Sequence, residues 1–340
     1  MSSQLESEAA FESGIPGFLY RQWFKTRQPV PAGTNLAGQT AIITGSNIGL
    51  GLEASRQLLD LGLSTLIVAV RSQQKGDEAA RGLRESYPDA RIEVWLVDME
   101  SYGSVQEFAA RCQSLDRIDT VILNAGLQNP AYKRVASTGH DQCLQVNYFS
   151  TVLLAILLLP IMKAKRRDAQ HPPVLSIVSS DTAYWCTMET EGPVIAQLDR
   201  EEGFSTMEQY KGTKLLEMLF VAKLAEQVSA EDVVVNLINP GLTTGTSLSR
   251  NSSWVINLMV GIMSAVLARS TASGASNYVD ATVVKGKGSH GSFVSDWNIR
   301  PYPLLMYTDG GQKIKERLWE ETMEELNFAG ASSIIQSLRG

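Results

Sequence analysis

Ala41-Ile42-Ile43-Thr44-Gly45-Ser46-Asn47-Ile48-Gly49-Leu50-Gly51 sets the reading of the whole chain. A short apolar run ends in a glycine-rich turn, and a helix-like segment from Leu52 to Leu61 follows. That order writes strand, phosphate-binding turn, helix. Gly45 lets the chain turn sharply out of the strand, Gly49 brings backbone close to a pyrophosphate, and Gly51 lets the helix pack tightly on the strand. The helix N-terminus then offers free N–H groups and a positive dipole end, so Ser46, Asn47 and Ile48 lie within a candidate phosphate cradle. The spacing is TGxxxGxG rather than GxGxxG, and by itself it competes with an ordinary tight turn.

Outward from this stretch the pattern alternates. Strands are predicted at Thr40 to Thr44, Ser64 to Val70, Arg91 to Val97, Thr120 to Leu123, Pro173 to Val178 and Val233 to Ile238. Helices are predicted at Gly49 to Leu61, Lys75 to Ser86, Ser104 to Arg111, Asp141 to Lys165 and Met207 to Val228. Nearly continuous apolar strands are buried on both faces, and their alternation with helices implies a doubly wound parallel sheet in an α/β domain. Ligands of such sheets bind beyond the carboxyl ends of the strands, which picks out Gly45, Arg71, Asp98, Asn124, Ser180 and Pro240.

The bulk numbers agree with one α/β domain carrying extensions: 340 residues, 44% hydrophobic, formal net charge -6. Without a basic block, nucleic acid is a poor partner. Cys112, Cys143 and Cys186 are odd in number and far apart, which fits a reducing, cytoplasmic setting and no disulfide framework. The histidines His140, His171 and His290 are scattered, so no metal site is expected. Glu6, Glu8 and Glu12 stand where a secretory signal needs basic residues. Phe18 to Lys25 is aromatic with a basic partner and reads as an arm whose rings pack on the main domain, with a weak peripheral membrane anchor as the alternative. Pro29, Pro31 and Gly33 mark a linker. Trp254 to Ala268 is mostly apolar but shorter than the ~18 residues of a spanning helix. It reads as a substrate-covering or buried helix, which argues for a lipophilic substrate and no stable membrane span.

The pieces Thr44-Gly45-Ser46-Asn47-Ile48-Gly49-Leu50-Gly51, Asp98, Asn124-Ala125-Gly126, Asn147, Ser180, Tyr210-Lys211-Gly212-Thr213-Lys214 and Asn239-Pro240-Gly241 fall in a recognisable order over residues 38 to 245. Together they resemble the short-chain dehydrogenase/reductase family, and within it the retinol-dehydrogenase-like branch and its fungal relatives in secondary metabolism. Leu267-Ala268-Arg269-Ser270 and Leu318-Trp319-Glu320-Glu321-Thr322 point to the fungal group. The resemblance implies a Rossmann fold, a nicotinamide cofactor, and Asn147, Ser180, Tyr210 and Lys214 as the catalytic set. It also implies Asp98 at the adenine ring, Asn124 beside the cofactor, Pro240 among the cofactor-binding residues, and Asn147 holding a water that links Lys214 to solvent.

Tyr210 and Lys214 lie four apart on one face of a predicted helix. A free tyrosine titrates near pH ~10, and an acid–base group works best near the operating pH. A nearby ammonium and the cationic nicotinamide favour the phenolate; a drop of roughly 3 units requires about 4 kcal/mol of differential interaction. The Ser180 hydroxyl can bond a substrate oxygen, with Ser179 its rival on position alone. At the end of the second strand an acidic residue would indicate NAD; Arg71 stands there instead and can pair with a 2′-phosphate, with Ser46 or Ser72 adding a hydroxyl, which selects NADP(H).

Two features depart from the family. Ser180 and Tyr210 are thirty positions apart, far more than in the family, and the insert is expected to cover the substrate mouth. The threonine that usually follows Pro-Gly is displaced; Thr243, Thr244 and Thr246 compete, and Thr244 or Thr246 is taken to meet the carboxamide. The expected layout is an arm and linker over 1–37, a Rossmann domain over 38–330 with substrate-covering segments 181–206 and 246–285, and a tail over 331–340. The long helix from Asn147 to Met162 serves either as core or as the face of a homodimer. The expected activity is carbonyl–alcohol interconversion on a lipophilic polyketide or terpenoid. A nucleotide-binding sensor, or a lyase, epimerase or cyclase on the same fold, is the alternative.

Overall fold

The computed structural model describes residues 3–168, 170–244 and 267–339. Thr246 and most of Trp254 to Ala268 lie outside the described residues. Strands β1 (Thr40–Thr44), β2 (Thr65–Val70), β3 (Arg91–Leu96), β4 (Thr120–Leu123), β5 (Val174–Val178), β6 (Val234–Asn239), β7 (Phe293–Ser295) and β8 (Asn298–Arg300) form one sheet in the order β3-β2-β1-β4-β5-β6-β7-β8. All neighbours are parallel except β7 and β8. The chain winds outward from β1 to β3, then returns to β4 and winds the other way. The crevice between the ends of β1 and β4 is therefore the topological switch point.

Helices α3 (Gly49–Asp60) and α4 (Gln73–Ser86) connect the first three strands, and α5 (Tyr102–Cys112) leads to β4. The long helix expected between β4 and β5 is broken: α6 (Gln142–Leu144) passes through a π turn (Gln145–Phe149) into α7 (Ser150–Ala164). Gln142–Ala164 is, among the described residues, the one helix long and apolar enough to cross a membrane, and 83% of its apolar window is buried inside the protein. Apolar on every side, α7 belongs to the core. It packs on α5 and on the C-terminal helix α11 (Ala331–Leu338), so of its two expected roles the structure gives the interior one.

Four regions add to the expected plan. Residues 331–340, expected as a tail, carry α11, whose Ala331, Ile335 and Leu338 are buried in the main core. Helix α10 (Asp309–Glu325) packs on α8 (Thr206–Ala225). Helix α9 (Thr271–Val279), within the described part of the expected 246–285 cover, lies against α3. The N-terminal arm is a pair of helices, α1 (Ser3–Glu12) and α2 (Ile15–Phe24). Pro16 suits the first turn of α2, and at Gly17 a Cβ would meet Phe11 O at 2.2 Å, so the two helices cross at backbone contact. Only one ring of the arm packs as expected: Phe18 meets Trp185 edge to face at 5.6 Å, while Tyr20, Trp23 and Phe24 are 42%, 53% and 68% exposed.

Candidate active site

The turn after β1 has the shape its glycines require. Gly45 has φ +66° and Gly49 φ +59°, both left-handed. A Cβ on Gly51 would sit 2.6 Å from Asn124 Nδ2 and 2.9 Å from Gly45 O, so only glycine lets α3 begin here. Asn124 is the lock across the switch crevice. Its Nδ2 donates to Thr44 O at 2.9 Å, its backbone N–H donates to Thr44 Oγ1 at 2.9 Å, and its Oδ1 accepts from the Tyr278 hydroxyl at 2.9 Å. Ile48 caps α3 without a side-chain bond, so the first N–H groups of the helix face the crevice uncapped. This uncapped turn fits a dinucleotide pyrophosphate. Asn47 is half-buried and Ile48 exposed at its rim.

At the end of β2 the expected arginine has an acidic partner. Arg71 is exposed and pairs with Glu100 Oε1 at 3.0 Å. Of the two helper hydroxyls, Ser46 is fully buried and donates to Ile43 O at 2.8 Å, while Ser72 caps α4 by accepting from Lys75 N and keeps its own O–H to donate. Asp98 is half-buried, and its Oδ1 accepts from Glu100 N at 3.0 Å, which holds Glu100 toward Arg71. Pro240 follows β6 at the same edge of the sheet, and Gly241 N–H donates to Asn239 Oδ1 at 3.1 Å. The Thr244 hydroxyl donates to Arg269 O at 3.3 Å.

Ser180, Tyr210 and Lys214 meet at the end of β5. The Ser180 hydroxyl reaches Tyr210, and the Lys214 ammonium lies 5.6 Å from the centre of the Tyr210 ring. Ser179 is turned the other way and donates to Lys214 O at 3.2 Å. Thr182, a residue sequence reasoning missed, aims Ser180: its N–H and its hydroxyl both donate to Ser180 Oγ, at 3.2 and 3.1 Å. Lys214 is itself fixed, donating to Val178 O at 2.9 Å and to Glu217 Oε1 at 2.7 Å. Asn147 sits in the π turn, fully buried, and its side chain is engaged by backbone and neighbours: Oδ1 accepts from Leu127 N at 2.8 Å, and Nδ2 donates to Leu127 O at 3.0 Å and Thr213 Oγ1 at 3.2 Å.

Lys214 on its own does not make Tyr210 acidic. Burial, the largest effect, pushes its phenol above the ordinary tyrosine value; the Lys214 charge opposes this only in part, and Glu217 adds to the rise. Lys214 keeps its proton: burial works against the charge, but Glu217 and Tyr210 outweigh it. In the protein alone, then, Tyr210 is a phenol, poised to give a proton rather than to take one.

Residues 39–183 match the family described as short chain dehydrogenase. A short chain dehydrogenase of Hypocrea virens, virL, is 56% identical over 340 residues, covering 100% of this chain and 99% of the relative. The short chain dehydrogenase/reductase mfmJ of Annulohypoxylon moriforme is 46% identical over 330 residues, covering 96% of each. The chain belongs to the short-chain dehydrogenase/reductase family. Solved structures share the fold: L-sorbose reductase from Gluconobacter frateurii, complexed with NADPH and L-sorbose, superposes with TM-score 0.58 at 22% identity, over 77% of this chain and 96% of that one. NADPH-dependent 3-quinuclidinone reductase from Rhodotorula rubra gives TM-score 0.58 at 18% identity, over 80% and 96%.

In this short-chain dehydrogenase/reductase the insert between Ser180 and Tyr210 is built into the frame. It carries a cavity of about 430 Å³ bordered by Met188, Leu198, Phe204 and Gln209, with neither Ser180 nor Tyr210 in its wall. Leu198 packs where a Cβ on Gly212 would come within 2.5 Å, and Glu321 of α10 accepts from Val194 N and Ile195 N. Asp199 accepts from Asp141 N at 2.7 Å and pairs with His140, which also meets Glu325 of α10 at 3.1 Å. Burial alone would lower the His140 pKa, but its bonds to Asp199 and Glu325 raise it to about 9. A histidine raised above its unfolded value near ~6.5 contributes stability that is complete below that value and is lost as pH rises through the folded one. Urea unfolding is therefore expected to show stability falling between pH ~6.5 and ~9, by on the order of 3 kcal/mol. His140→Gln should flatten that slope; an equal slope in both proteins would assign it elsewhere.

Proposed function

We propose that this chain is an NADP(H)-dependent oxidoreductase that interconverts a carbonyl and an alcohol on a lipophilic small molecule, a polyketide or terpenoid intermediate of fungal secondary metabolism. The convergence of Ser180, Tyr210 and Lys214 beside an uncapped glycine turn carries this reading. Gly45 to Gly51 would hold the pyrophosphate, Arg71 the 2′-phosphate, and Asp98, Asn124, Pro240 and Thr244 the remainder of the dinucleotide. When bound, the nicotinamide supplies or accepts a hydride. The chain's own residues handle the proton and the geometry. The Ser180 hydroxyl, its oxygen already accepting from Thr182, donates to the substrate oxygen. Tyr210 delivers a proton to that oxygen in reduction and removes it in oxidation. Lys214 stabilises the phenolate that remains. Asn147 fixes the π turn and, through Thr213, the facing turn of α8.

NADP(H) is supported by the position and exposure of Arg71 and by the absence of an acidic residue at the end of β2. A 2′-phosphate would compete with Glu100 for the guanidinium. Arg71→Asp is expected to weaken NADPH binding about tenfold to a hundredfold, the worth of a charge-assisted pair, and to favour NADH. Fluorescence titration of both cofactors checks it, and unchanged NADPH affinity would remove Arg71 from the site. The free cysteines fit a cytoplasmic setting. The activity itself is tested by screening lipophilic ketones, aldehydes and alcohols with the purified protein while following NADPH absorbance and product mass together. Product formed with no change in NADPH would replace the redox reading with a lyase, epimerase or cyclase.

A further inference from the structure

Glu217 is a buried carboxylate that the proposed chemistry leaves without a task. It lies one turn beyond Lys214 on α8, 1% exposed, and its Oε1 accepts from the Lys214 ammonium at 2.7 Å. The two side chains are 6% and 2% exposed, so solvent screens the pair poorly. The ammonium has three N–H groups. One goes to Val178 O, one to Glu217, and the Tyr210 ring lies 5.6 Å away on the same face of the helix. The charge expected to acidify Tyr210 is thus already partnered by a carboxylate.

We propose that Glu217 is a positioning residue that acts through Lys214, its carboxylate cancelling the lysine charge and its protonation releasing that charge to stabilise the Tyr210 phenolate. The proton is conserved in the exchange. Carboxylate with phenol and carboxylic acid with phenolate carry the same total charge, and Lys214 remains an ammonium in both. The groups facing Glu217 leave it as the one that changes charge near neutrality. On α8 these are Lys214, which keeps its proton, and Tyr210. From α6 comes Cys143, whose thiol burial pushes up to about 12. From the π turn comes Tyr148, which burial holds as a phenol, and from the end of β5 the uncharged Ser179. Burial raises Glu217 itself to about 7, with Lys214 opposing.

This inference rests on Tyr210 as the acid–base group, and its test needs neither substrate nor turnover. Full-length protein carrying carbon-13 at tyrosine Cζ is titrated by NMR, with the Tyr210 signal assigned by its loss in Tyr210→Phe. Glu217→Gln keeps an acceptor for Lys214 but removes the charge. It is expected to lower the Tyr210 titration by about one unit, as removal of a close like charge does. In a Lys214→Met background the same substitution should shift it less, because the lysine charge that Glu217 cancels is gone. An unmoved Tyr210 titration in folded Glu217→Gln, or an equal shift without Lys214, overturns the proposal. If Glu217→Gln does not fold, Glu217→Asp draws the carboxylate back by one methylene and should lower the titration in part; no shift there also overturns it. NADPH turnover abolished by Tyr210→Phe alongside an unmoved titration would leave the redox reading standing and this inference alone refuted. A shifted titration in a protein that turns over no carbonyl or alcohol would do the reverse.

Discussion

Tyr210→Phe is expected to lower turnover about a hundredfold to ten-thousandfold, the usual contribution of a positioned acid–base group, while NADPH still binds. The substitution removes one oxygen and keeps the ring, so the contact with the Lys214 ammonium at 5.6 Å persists and the fold has little reason to change. That makes it a clean separation of chemistry from binding. A nucleotide sensor on this fold would bind cofactor and give its output equally well with phenylalanine; an enzyme would bind and stall. Direction adds a second readout. Burial holds Tyr210 above the ordinary tyrosine value, so at neutral pH the group carries the proton that reduction consumes. Carbonyl reduction should be insensitive to pH until Tyr210 begins to ionise, and alcohol oxidation should rise with pH over the same range. A parent enzyme whose oxidation rate falls as pH rises would contradict the assignment of Tyr210 as its base.

The sequence made the central strands legible because parallel strands covered on both faces are written as unbroken apolar runs, such as Ala41-Ile42-Ile43 and Val233-Val234-Val235. Strands β7 and β8 are three residues each, too short for a period to register. Their turn gives no warning either: Asp296 and Trp297 adopt φ +54° and +56°, positions where Asn-Gly is the usual signal. Trp297 is held there by tertiary bonds, its N–H to Asn277 Oδ1 and its ring N–H to Ser276 Oγ. At the site, the order of Asn124, Ser180, Tyr210 and Lys214 along the chain was readable. Which way a hydroxyl faces was not. Ser46 looks like a phosphate ligand in the sequence and is sealed under Ile43 O. Glu217 gives no signal in the sequence, because Lys and Glu three apart on a helix is normally a solvated surface pair. Its burial comes from the sheet and from α6, which no helical period reports.

The N-terminal arm was legible least of all, and it carries the largest expected effect on stability. Arg21, 2% exposed, meets Glu12 of α1, Asp181 next to Ser180 at 3.4 Å, and Asp296 of the β7–β8 turn at 3.2 Å. Arg269 closes on Asp296, and Arg300 on Glu12 at 2.8 Å, so three arginines and three carboxylates form one buried, neutral cluster. Gln22 adds bonds to Leu242 O at 3.1 Å and Leu267 O at 2.9 Å. Arg21→Met should cost about 3–5 kcal/mol, because breaking a buried pair leaves a carboxylate without its cation. Asp181 is the one most affected: burial already raises its pKa, and Arg21 is the charge that opposes this. Adding Asp181→Asn to Arg21→Met should recover part of the loss, which a double-mutant cycle by urea unfolding would measure. Trp23→Ser and Phe24→Ser, on the exposed face of the same helix, should change stability by only about 0.5 kcal/mol. If instead the aromatic substitutions were the costly ones and Arg21→Met were silent, the arm would be held by its rings and the charge cluster would be incidental. The predicted pattern makes the arm part of the frame of the site, because the residue it steadies through Arg21 directly follows the serine that meets Tyr210.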